Sequence, residues 1–415
     1  MISTIRSLAA VATALACGLV QAQTSLAAPA WQTAGTAFKL LHEFEGAPLS
    51  GRPNAALILG PDGNFYGTSS DGGDDASCRP FGCGTIYRMK PNGVTKMLHS
   101  FKFASDGQFP LASLMLASDG KFYGTAYYGG PLNGGTLFRT DTKGNFEVLY
   151  AFKHGGPNGA HPTAAVVEGP DGMLYGTTQE GGVGQAPLCL SNGISGCGTV
   201  FNYSIKSGVL RVLRSFAGQD GDGAFPSEPL TLANDGNFYG TTSQGGASQY
   251  GTLFRMTKDG EFTLLHVFDL ATGATPSGTL VQGRDGALYG TTARGGLHGG
   301  GTVFRITLDG AYSLVHEFDP VNEGDTPDGK LVLGPGDLLY GVLRYGGDKV
   351  SCNPAGCGSA YSLSATGKYR TLHKFNGTDG IFPSGGLTRL GDTKLLGTTE
   401  FGGSADAGVI FTIKP

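Results

Sequence analysis

Short runs of apolar residues, separated by tight polar turns, recur along the whole chain. Apolar runs such as residues 57–59, 114–116 and 331–333 are followed by a turn, which is Asp-Gly in five units, and then by a segment of the type Phe/Leu-Tyr-Gly-Thr. Asp-Gly supplies the positive φ angles that a two-residue hairpin needs, so the second segment must fold straight back on the first. The turns of this kind begin at Asp62, Asp119, Asp171, Asp235 and Asp285. The pattern therefore predicts paired short strands.

Two further strands follow each of these pairs. A Gly-Gly loop leads to a Gly-Thr-x-Phe-Arg segment, as at residues 135–139, 251–255 and 301–305. A second tight turn then leads to a strand that ends in Leu-x-x-Phe, as at residues 98–101 and 372–375. Four antiparallel strands that repeat radially are typical of a β-propeller blade.

The spacing inside each unit is fixed. In each unit the first residue of the Tyr-Gly-Thr triplet stands thirteen residues after a proline and six residues before Gly-Gly. The triplet changes to Tyr-Gly-Val in unit six and to Leu-Gly-Thr in unit seven. Seven units keep this spacing, and their prolines are Pro53, Pro110, Pro162, Pro226, Pro276, Pro327 and Pro383. Internal repetition of this kind indicates a repeat architecture. We predict an all-β, seven-bladed propeller over residues 36–415.

The two ends of the repeat region complement each other. Residues 38–44 read as a fourth strand with no unit before it, and residues 410–415 read as a third strand with no fourth strand after it. We expect residues 41–44 to pair with 408–413 and to complete the last blade, which leaves no unpaired edge. The alternative is an open solenoid, which would need capping units that the sequence does not show.

The repeated motifs resemble those of the GloVer tandem-repeat family of exported bacterial proteins. The resemblance is carried by Asp-Gly-x-Phe/Leu-Tyr-Gly-Thr-Thr, Gly-Gly, Gly-Thr-x-Phe-Arg and Leu-His-x-Phe, and it covers residues 38–415. It implies a propeller-like fold and an envelope or extracellular location. It implies no activity and supplies no catalytic residues.

The N-terminus is typical of an export signal. Arg6 precedes an apolar stretch at residues 8–20, which is too short for a permanent membrane anchor, and small residues allow cleavage after Ala22. We expect a signal peptide at 1–22, a linker at 23–35, a mature protein that is secreted, periplasmic or on the cell surface, and no transmembrane segment. A lipid anchor at Cys17, in a degenerate lipobox, is the alternative.

Composition narrows the range of partners. The 415 residues include 72 glycines, only 15% are charged, and the formal net charge is -4. Such a balance, without any Lys/Arg-rich run, argues against nucleic acid and anionic membranes as partners. We expect a monomer whose partner is an extracellular glycan or protein.

Six cysteines remain after Cys17, and all lie in the loops between second and third strands. These loops are lengthened in three units, at Cys78 and Cys83, Cys189 and Cys197, and Cys352 and Cys357. For an exported protein this pattern predicts three local disulfides. A zinc site is the alternative, but the three pairs would lie far apart on separate blades.

Candidate binding residues lie where the second strands end, on the face that carries the longer loops. Positions next to Gly-Gly differ between units and include charged and aromatic residues. The ligand-binding candidates are Asp71, Tyr127, Tyr128, Glu180, Gln244, Arg294, Arg344, Tyr345 and Glu400. The alternative for each of them is a solvated rim that tolerates any side chain.

Two other positions depart from the repeat. The residue before the proline is Phe or Thr in five units but Arg52 and His161 in the other two, and two residues after the proline Glu228 replaces Ala or Gly. Glu228 should line a polar axial channel or form a salt bridge there. The histidines His42, His99, His266, His316 and His373 repeat on the outer strands, so they cannot converge on a metal. We predict no metal or other cofactor, with calcium in the Asp-Gly-rich loop 219–223 as the alternative.

Three functions fit these residues. The first is a module that binds an extracellular glycan or peptide on the loop-rich face. The second is a secreted carbohydrate-active enzyme with a central pocket, either a lyase that uses His161, Tyr128, Arg52, Arg294 and Glu228 or a glycosidase that uses Asp71, Glu180 and Glu400. The third is a structural cell-surface scaffold. The lyase hypothesis requires its five residues to meet in one cavity.

Overall fold

Nearly all regular structure in this chain is β-strand. A computed structural model describes residues 37–415 except 185, 191–194, 220, 221 and 353. In these residues there is no α-helix, only three short 3-10 segments at Ala76–Cys78, Pro187–Cys189 and Pro335–Asp337. No helix in this part of the chain has the length and apolar character needed to cross a membrane. The expected signal peptide, the linker and Cys17 lie outside the described residues.

The first strands belong to units one to three, except β1, which joins the sheet of the last unit. In chain order they are β1 (Ala37–Glu43), β2 (Ser50–Gly51), β3 (Ile58–Leu59), β4 (Phe65–Ser69), β5 (Asp71–Gly72), β6 (Thr85–Met89), β7 (Thr95–Ser100), β8 (Met115–Leu116), β9 (Phe122–Ala126), β10 (Asn133–Thr140), β11 (Phe146–Lys153), β12 (Val167–Glu168), β13 (Leu174–Thr178), β14 (Thr199–Tyr203) and β15 (Leu210–Ser215).

The remaining strands belong to units four to seven. They are β16 (Gly223–Ala224), β17 (Thr231–Leu232), β18 (Phe238–Thr242), β19 (Gln244–Gly245), β20 (Thr252–Met256), β21 (Phe262–Val267), β22 (Ala274–Gln282), β23 (Leu288–Arg294), β24 (Thr302–Ile306), β25 (Tyr312–Glu317), β26 (Asp325–Leu333), β27 (Leu339–Tyr345), β28 (Ser359–Leu363), β29 (Tyr369–Lys374), β30 (Ile381–Leu390), β31 (Lys394–Phe401) and β32 (Val409–Lys414).

Most of these strands form four-stranded antiparallel sheets, one per unit, while β2 pairs with β5 and β16 with β19 in two-stranded sheets. The first five units give β3-β4-β6-β7, β8-β9-β10-β11, β12-β13-β14-β15, β17-β18-β20-β21 and β22-β23-β24-β25. The last two units share the sheet β1-β32-β31-β30-β26-β27-β28-β29, in which one parallel bridge between Lys330 and Gly386 joins the inner strands. The prediction of an all-β fold with four antiparallel strands per unit is confirmed.

The N-terminal strand β1 lies against the last strand of the chain. It pairs antiparallel with β32, from Ala37 opposite Lys414 to Glu43 opposite Val409. Phe38 stacks on His373 with ring centroids 3.9 Å apart, and Phe44 is only 2% exposed. The strand that lies beside β32 therefore comes from the other end of the described chain.

The Asp-Gly turns also hold the second strands. In five units the Asp carboxylate accepts a hydrogen bond of 2.8 to 3.1 Å from the hydroxyl of the tyrosine four residues later. The tyrosines, Tyr66, Tyr123, Tyr175, Tyr239 and Tyr289, are at most 5% exposed. A buried hydroxyl needs such a partner. The repeated Asp thus serves both the turn and the core.

Adjacent units meet at a joint whose geometry recurs in every unit. The residue before each proline has a φ between 52° and 58°, in the left-handed region, although it is Arg, His, Phe or Thr. Its N–H donates to the carbonyl of the residue before the Gly-Thr or equivalent segment of the preceding unit, as in His161 to Gly134 (2.7 Å) and Thr275 to Tyr250 (2.9 Å). Arg52 of unit one donates in the same way to Ala407 of unit seven (2.7 Å).

A proline and a glycine complete each joint. The glycine that starts the third strand has a positive φ, and a Cβ on it would overlap the proline ring of the next unit, as for Gly251 against Pro276. Gly408 stands in this relation to Pro53. A side chain at this glycine would be excluded by both the backbone conformation and the space.

The six cysteines form three local disulfides. Cys78 pairs with Cys83, Cys189 with Cys197, and Cys352 with Cys357. The predicted pairing is confirmed, and the zinc alternative is wrong for these residues. Disulfides of this kind fit an oxidising compartment outside the cytoplasm.

Removing β1 should destabilise the seventh sheet. Deletion of residues 36–45 exposes β32 and removes the buried Phe44, so we expect the free energy of unfolding to fall by at least about 3 kcal/mol. Chemical denaturation measures this change. A variant that starts at residue 36 and keeps β1 is the control, and its stability should match that of the full chain. If the deletion variant were as stable as this control, the pairing of β1 with β32 would be contradicted.

The joint should not tolerate a side chain on its glycine. Gly251→Ala places a methyl group against Pro276 and Thr242 at a φ of 99°, whereas Gly286→Ala has a φ of 80° but nothing within 4 Å of the new methyl group. We expect Gly286→Ala to cost about 1 kcal/mol through its backbone alone and Gly251→Ala at least about 2 kcal/mol more. Denaturation midpoints measure both, and equal costs would contradict the steric role of the joint.

Candidate functional site

The inner strands and the segments that precede them surround a cavity of about 530 Å³. All seven units contribute to its wall. We call the face that carries the Gly-Gly loops and the connections between units the loop face, and the opposite one the turn face. The positions just after each proline lie at the loop-face end of the cavity, and the inner strands run from there towards the turn face.

The two sides of this cavity differ in chemistry. Units one to three contribute mostly small and apolar side chains, among them Ala55, Ala112, Leu114, Ala164 and Val166. Units four, six and seven contribute all the charged ones, which are Glu228, Asp328, Lys330, Arg344 and Glu400. A largely apolar pocket with a few convergent polar groups is the usual form of a small-molecule site.

Arg344 is the centre of the charged wall. Its guanidinium pairs with Asp328 of the same unit (3.3 Å) and with Glu400 of the next unit. The two carboxylates raise the pKa of Arg344, although its partial burial acts in the opposite direction. Arg344 therefore stays charged and holds two carboxylates from different units at the cavity mouth.

Arg52 and Asp71 extend this network within unit one. Their side chains form an ion pair of 3.2 Å, and the Arg52 guanidinium also lies 4.7 Å from the ring centroid of Phe401 in unit seven. Burial raises the pKa of Asp71; Arg52 opposes this rise, and the negative charge of Glu400 adds to it. Asp71 and Glu400 thus interact across the boundary between the first and last units.

Glu228 and Lys330 lie further along the inner strands. Enclosure raises the pKa of Glu228 to about 7, a rise that the N–H of Gly278 opposes and the charge of Asp328 increases. Enclosure also lowers the pKa of the Lys330 amine. Glu228 is nevertheless only half-buried and Lys330 is exposed, because both side chains face the open space of the cavity. Of the two roles predicted for Glu228, the structure shows channel lining and no ion pair of its carboxylate among the described residues.

A second cluster surrounds His161 on the loop face. Its Nδ1 lies 3.2 Å from the Glu180 carboxylate and its Nε2 lies 3.2 Å from Nδ1 of the exposed His154. The rings of Tyr127 and Tyr128 lie 5.2 and 4.3 Å from the His161 ring. His161 itself is fully buried, so the cluster reaches solvent through His154.

The variable positions on the loop face contact one another in a regular way. The residue before the proline contacts the residue before Gly-Gly of its own unit, as in Arg52 with Asp71 and His161 with Glu180. It also contacts the corresponding residue of the preceding unit, as Phe382 does with Tyr345 at 5.2 Å. These side chains therefore form part of the packing between units. Neither of the two hypotheses drawn from the sequence, a free ligand-binding surface or a solvated rim, predicts such contacts.

The remaining candidates lie apart from these clusters. Arg294 is exposed beside a shallow hollow formed with Leu297, His298 and Asp325, and Gln244 is exposed beside β16. Of the five lyase candidates, only His161 and Tyr128 contact each other and only Glu228 lines the axial cavity. The convergence that the lyase hypothesis required is therefore not met.

The outer histidines serve the packing of neighbouring units. His99 stacks on Phe146 (3.7 Å), His266 on Tyr312 (3.8 Å) and His373 on Phe38 (3.9 Å). Among the residues that the structure describes, no group of three or more His, Cys, Asp or Glu side chains is arranged to hold a metal ion. In the loop 219–223, Asp222 pairs with Arg214 (3.1 Å), while Asp220 and Gly221 lie outside the described residues.

Sequence reasoning missed two charged residues of the cavity. Asp328 and Lys330 stand one and three residues after the proline of unit six. The equivalents of Lys330 in the other units are all short side chains or proline: Ala56, Ser113, Ala165, Pro229, Thr279 and Gly386. The comparison between units that singled out Glu228 would have found Lys330 if it had been extended by one position.

Solved structures of similar fold come from bacteria. The extracellular domain of a hybrid two-component system from B. thetaiotaomicron has a TM-score of 0.56 and 10% identity over 92% of this chain and 41% of that chain. A protein from Bacteroides uniformis assigned as a 6-phosphogluconolactonase has a TM-score of 0.51 and 15% identity over 78% and 86% of the two chains. At such identities the likeness shows a propeller-like fold alone.

TolB from Acinetobacter baumannii shares 14% identity over 69% of this chain and 59% of TolB, with a TM-score of 0.41. This chain thus spans less than two thirds of both the TolB chain and the two-component chain. A comparison with curated proteins gave no match.

The repeat motifs themselves have a clear match. The family described as the Gloeobacter/Verrucomicrobia repeat matches residues 29–187 and 188–353, which together exceed half of the chain. This confirms the resemblance drawn from the motifs, and the protein belongs to the Gloeobacter/Verrucomicrobia repeat family.

Proposed function

We propose that this chain is an exported, seven-bladed propeller, closed by β1, that binds a small polyhydroxylated ligand such as a glycan end at the loop-face mouth of its axial cavity. The observation that carries the proposal is the Asp328-Arg344-Glu400 network in the cavity wall. The expected export signal and the three disulfides support a location outside the cytoplasm.

Contacts between the first and last units support a closed ring. The joint between Arg52 and Ala407 and the contact of Pro53 with Gly408 repeat the geometry found between consecutive units. The stack of Phe38 on His373 also joins β1 to unit six in the way that the other outer histidines join neighbouring units. On the inner strands, the Thr388 hydroxyl donates to the carbonyl of Leu57 (2.6 Å). A ring whose every boundary uses the same contacts has no seam to cap.

The charged network supports a binding role because it is costly to the fold. Charged groups that lose part of their hydration destabilise a structure unless good geometry compensates for the loss, and uncharged residues fill the same positions in units one to five without that cost. Perturbed pKa values in a cleft mark candidate functional sites. The raised pKa values of Asp71, Asp328 and Glu228 all occur around this cavity.

The donors and acceptors at the mouth suit a sugar. Arg344 offers several N–H donors beside two carboxylates that only accept, so vicinal hydroxyl groups could both donate and accept there. Asn54, Thr163, Ser227 and Ser384 add neutral polar groups around the opening. The apolar wall of units one to three would contact the non-polar face of a sugar ring.

The His161 cluster, without the Arg52, Arg294 and Glu228 of the five-residue lyase hypothesis, favours a second candidate function, proton transfer in a carbohydrate-active enzyme. The Glu180 carboxylate lies 3.2 Å from Nδ1 of His161 without the geometry of a hydrogen bond, and the other nitrogen of His161 contacts His154 at the surface. A screen of polysaccharides for new unsaturated ends, read by ultraviolet absorbance, tests this candidate. Product that His161→Gln abolishes would favour an enzyme, and ligand retention without product would favour the binding module.

Loss of the network should weaken ligand binding without unfolding the protein. Glu400→Gln and Arg344→Gln each remove a charge-assisted contact, so we expect affinity for the glycan found by an array screen to fall about tenfold or more. The matched controls are Glu147→Gln and Arg255→Gln, which change charges on the outer and third strands. Calorimetric titration measures the affinities. Equal affinities in all four variants would refute the site.

The protonation of Glu228 should make stability depend on pH. Its pKa is about 7 in the folded chain against an ordinary value of 4.5, so the native state keeps a proton that the unfolded chain loses in this range. The contribution of Glu228 to stability therefore decreases as pH rises from about 4.5 to 7, by on the order of 1 to 3 kcal/mol. Glu228→Gln should remove this contribution. Urea denaturation of both proteins at pH 5, 6, 7 and 8 measures the difference, and a constant difference would contradict the shift.

A further inference from the structure

Lys330 is the one cation of the axial cavity that has no anionic partner in the described part of the chain. Its side chain projects from the inner strand β26 and lines the cavity together with Glu228 and Thr279. Arg344, the other cation of the wall, is occupied by Asp328 and Glu400. Among the described residues no hydrogen bond or ion pair reaches the Lys330 amine. The backbone of Lys330 forms the bridge to Gly386 that joins β26 to β30.

The position of Lys330 is specific to unit six. The equivalent residues of the other six units are Ala56, Ser113, Ala165, Pro229, Thr279 and Gly386, so none of them carries a charge or a long side chain. The fold therefore does not require a lysine here. Within unit six, Lys330 lies two residues further along β26 than Asp328, away from the loop face.

The Lys330 side chain is exposed to the solvent-filled space of the cavity, so its ammonium is accessible to a ligand. The surrounding walls lower the pKa of the amine, and no opposite charge among the described residues compensates for this. An anion placed against the amine would form a charge-assisted hydrogen bond and restore the balance.

The nearest acidic groups leave room for such an anion. Asp328 and Glu400 are held by Arg344 at the mouth, and the pKa of Glu228 near 7 leaves a large fraction of this carboxyl group neutral at physiological pH. The wall opposite, from units one to three, is mostly apolar and carries no charge. Lys330 is thus the point of the cavity best suited to a negative group.

We propose that the axial cavity selects acidic sugars, with the sugar carboxylate bound to the Lys330 amine and the hydroxyl groups bound by the network at the mouth. This inference rests on the proposed function, because it uses the same cavity and adds the class of ligand. Neutral sugars would make the contacts at the mouth alone.

The test compares oligouronides with their carboxyl-reduced forms, which keep the stereochemistry and lack the negative charge. Calorimetric titration of the full mature chain at pH 6.5 and low salt is the measurement, with trisaccharides of glucuronate, galacturonate, mannuronate and guluronate. We expect at least one acidic trisaccharide to bind about tenfold more tightly than its reduced form. Added salt should reduce this preference.

Substitutions assign the preference to Lys330. Lys330→Gln should abolish the preference for the acidic form and leave the affinity for the reduced form unchanged, whereas Lys330→Arg should retain it. Lys394→Gln, on the turn face, is the matched control and should behave as the wild type. Melting curves of all variants verify that they are folded.

The two proposals fail in different ways. Equal affinity of the wild type for acidic and reduced forms would overturn the selectivity but leave the binding function intact. A preference that persists in Lys330→Gln would overturn the assignment to this residue. If no sugar of either form binds, the proposed function and the inference built on it both fall.

Discussion

The joint between consecutive units is the constraint on which the rest of this structure depends. Each joint places a residue in the left-handed region immediately before a proline, which costs free energy for any residue except glycine. The hydrogen bond to the preceding unit and the contact between proline and glycine stabilise that conformation. Since the same joint also links Arg52 with Ala407, one local geometry sets both the spacing of the units and the meeting of the two ends.

The joint also explains why the loop face carries side chains in two sets. The left-handed residue lies between two neighbours, so Arg52, His161 and Phe382 must match the residues before Gly-Gly in their own and preceding units. The positions one residue earlier in the chain contact the left-handed residues as well, as Tyr127 does with His161 and Arg344 with Phe382. Arg344 and Glu400 belong to that set, and it is there that charge accumulates beside the cavity.

Most of the fold could be predicted from the sequence because it is repeated. Asp-Gly turns, the Tyr-Gly-Thr strands and the fixed spacing from Pro53 to Pro383 identify the strands without knowledge of any contact. The disulfides followed from their position in the three lengthened loops. The site was harder to predict, since pairing across units, as between Arg344 and Glu400, depends on which side chains face each other, and the spacing inside one unit does not contain that information.

The asymmetry of the cavity has a physical origin in the inner strands. Two residues after the proline, units one to three carry Ala55, Ala112 and Ala164, whereas units five to seven carry glycines. These glycines let the backbones approach: a Cβ on Gly278 would overlap Gly329, and one on Gly329 would overlap Gly386. The inner strands of units five to seven are accordingly nine or ten residues long, against two in units one to four. The close approach brings Asp328 and Lys330 to one side of the cavity wall. The side with the longer, more closely packed inner strands is therefore also a side that carries charge. A ligand with one apolar face and one charged end matches such a cavity better than a symmetric ligand does.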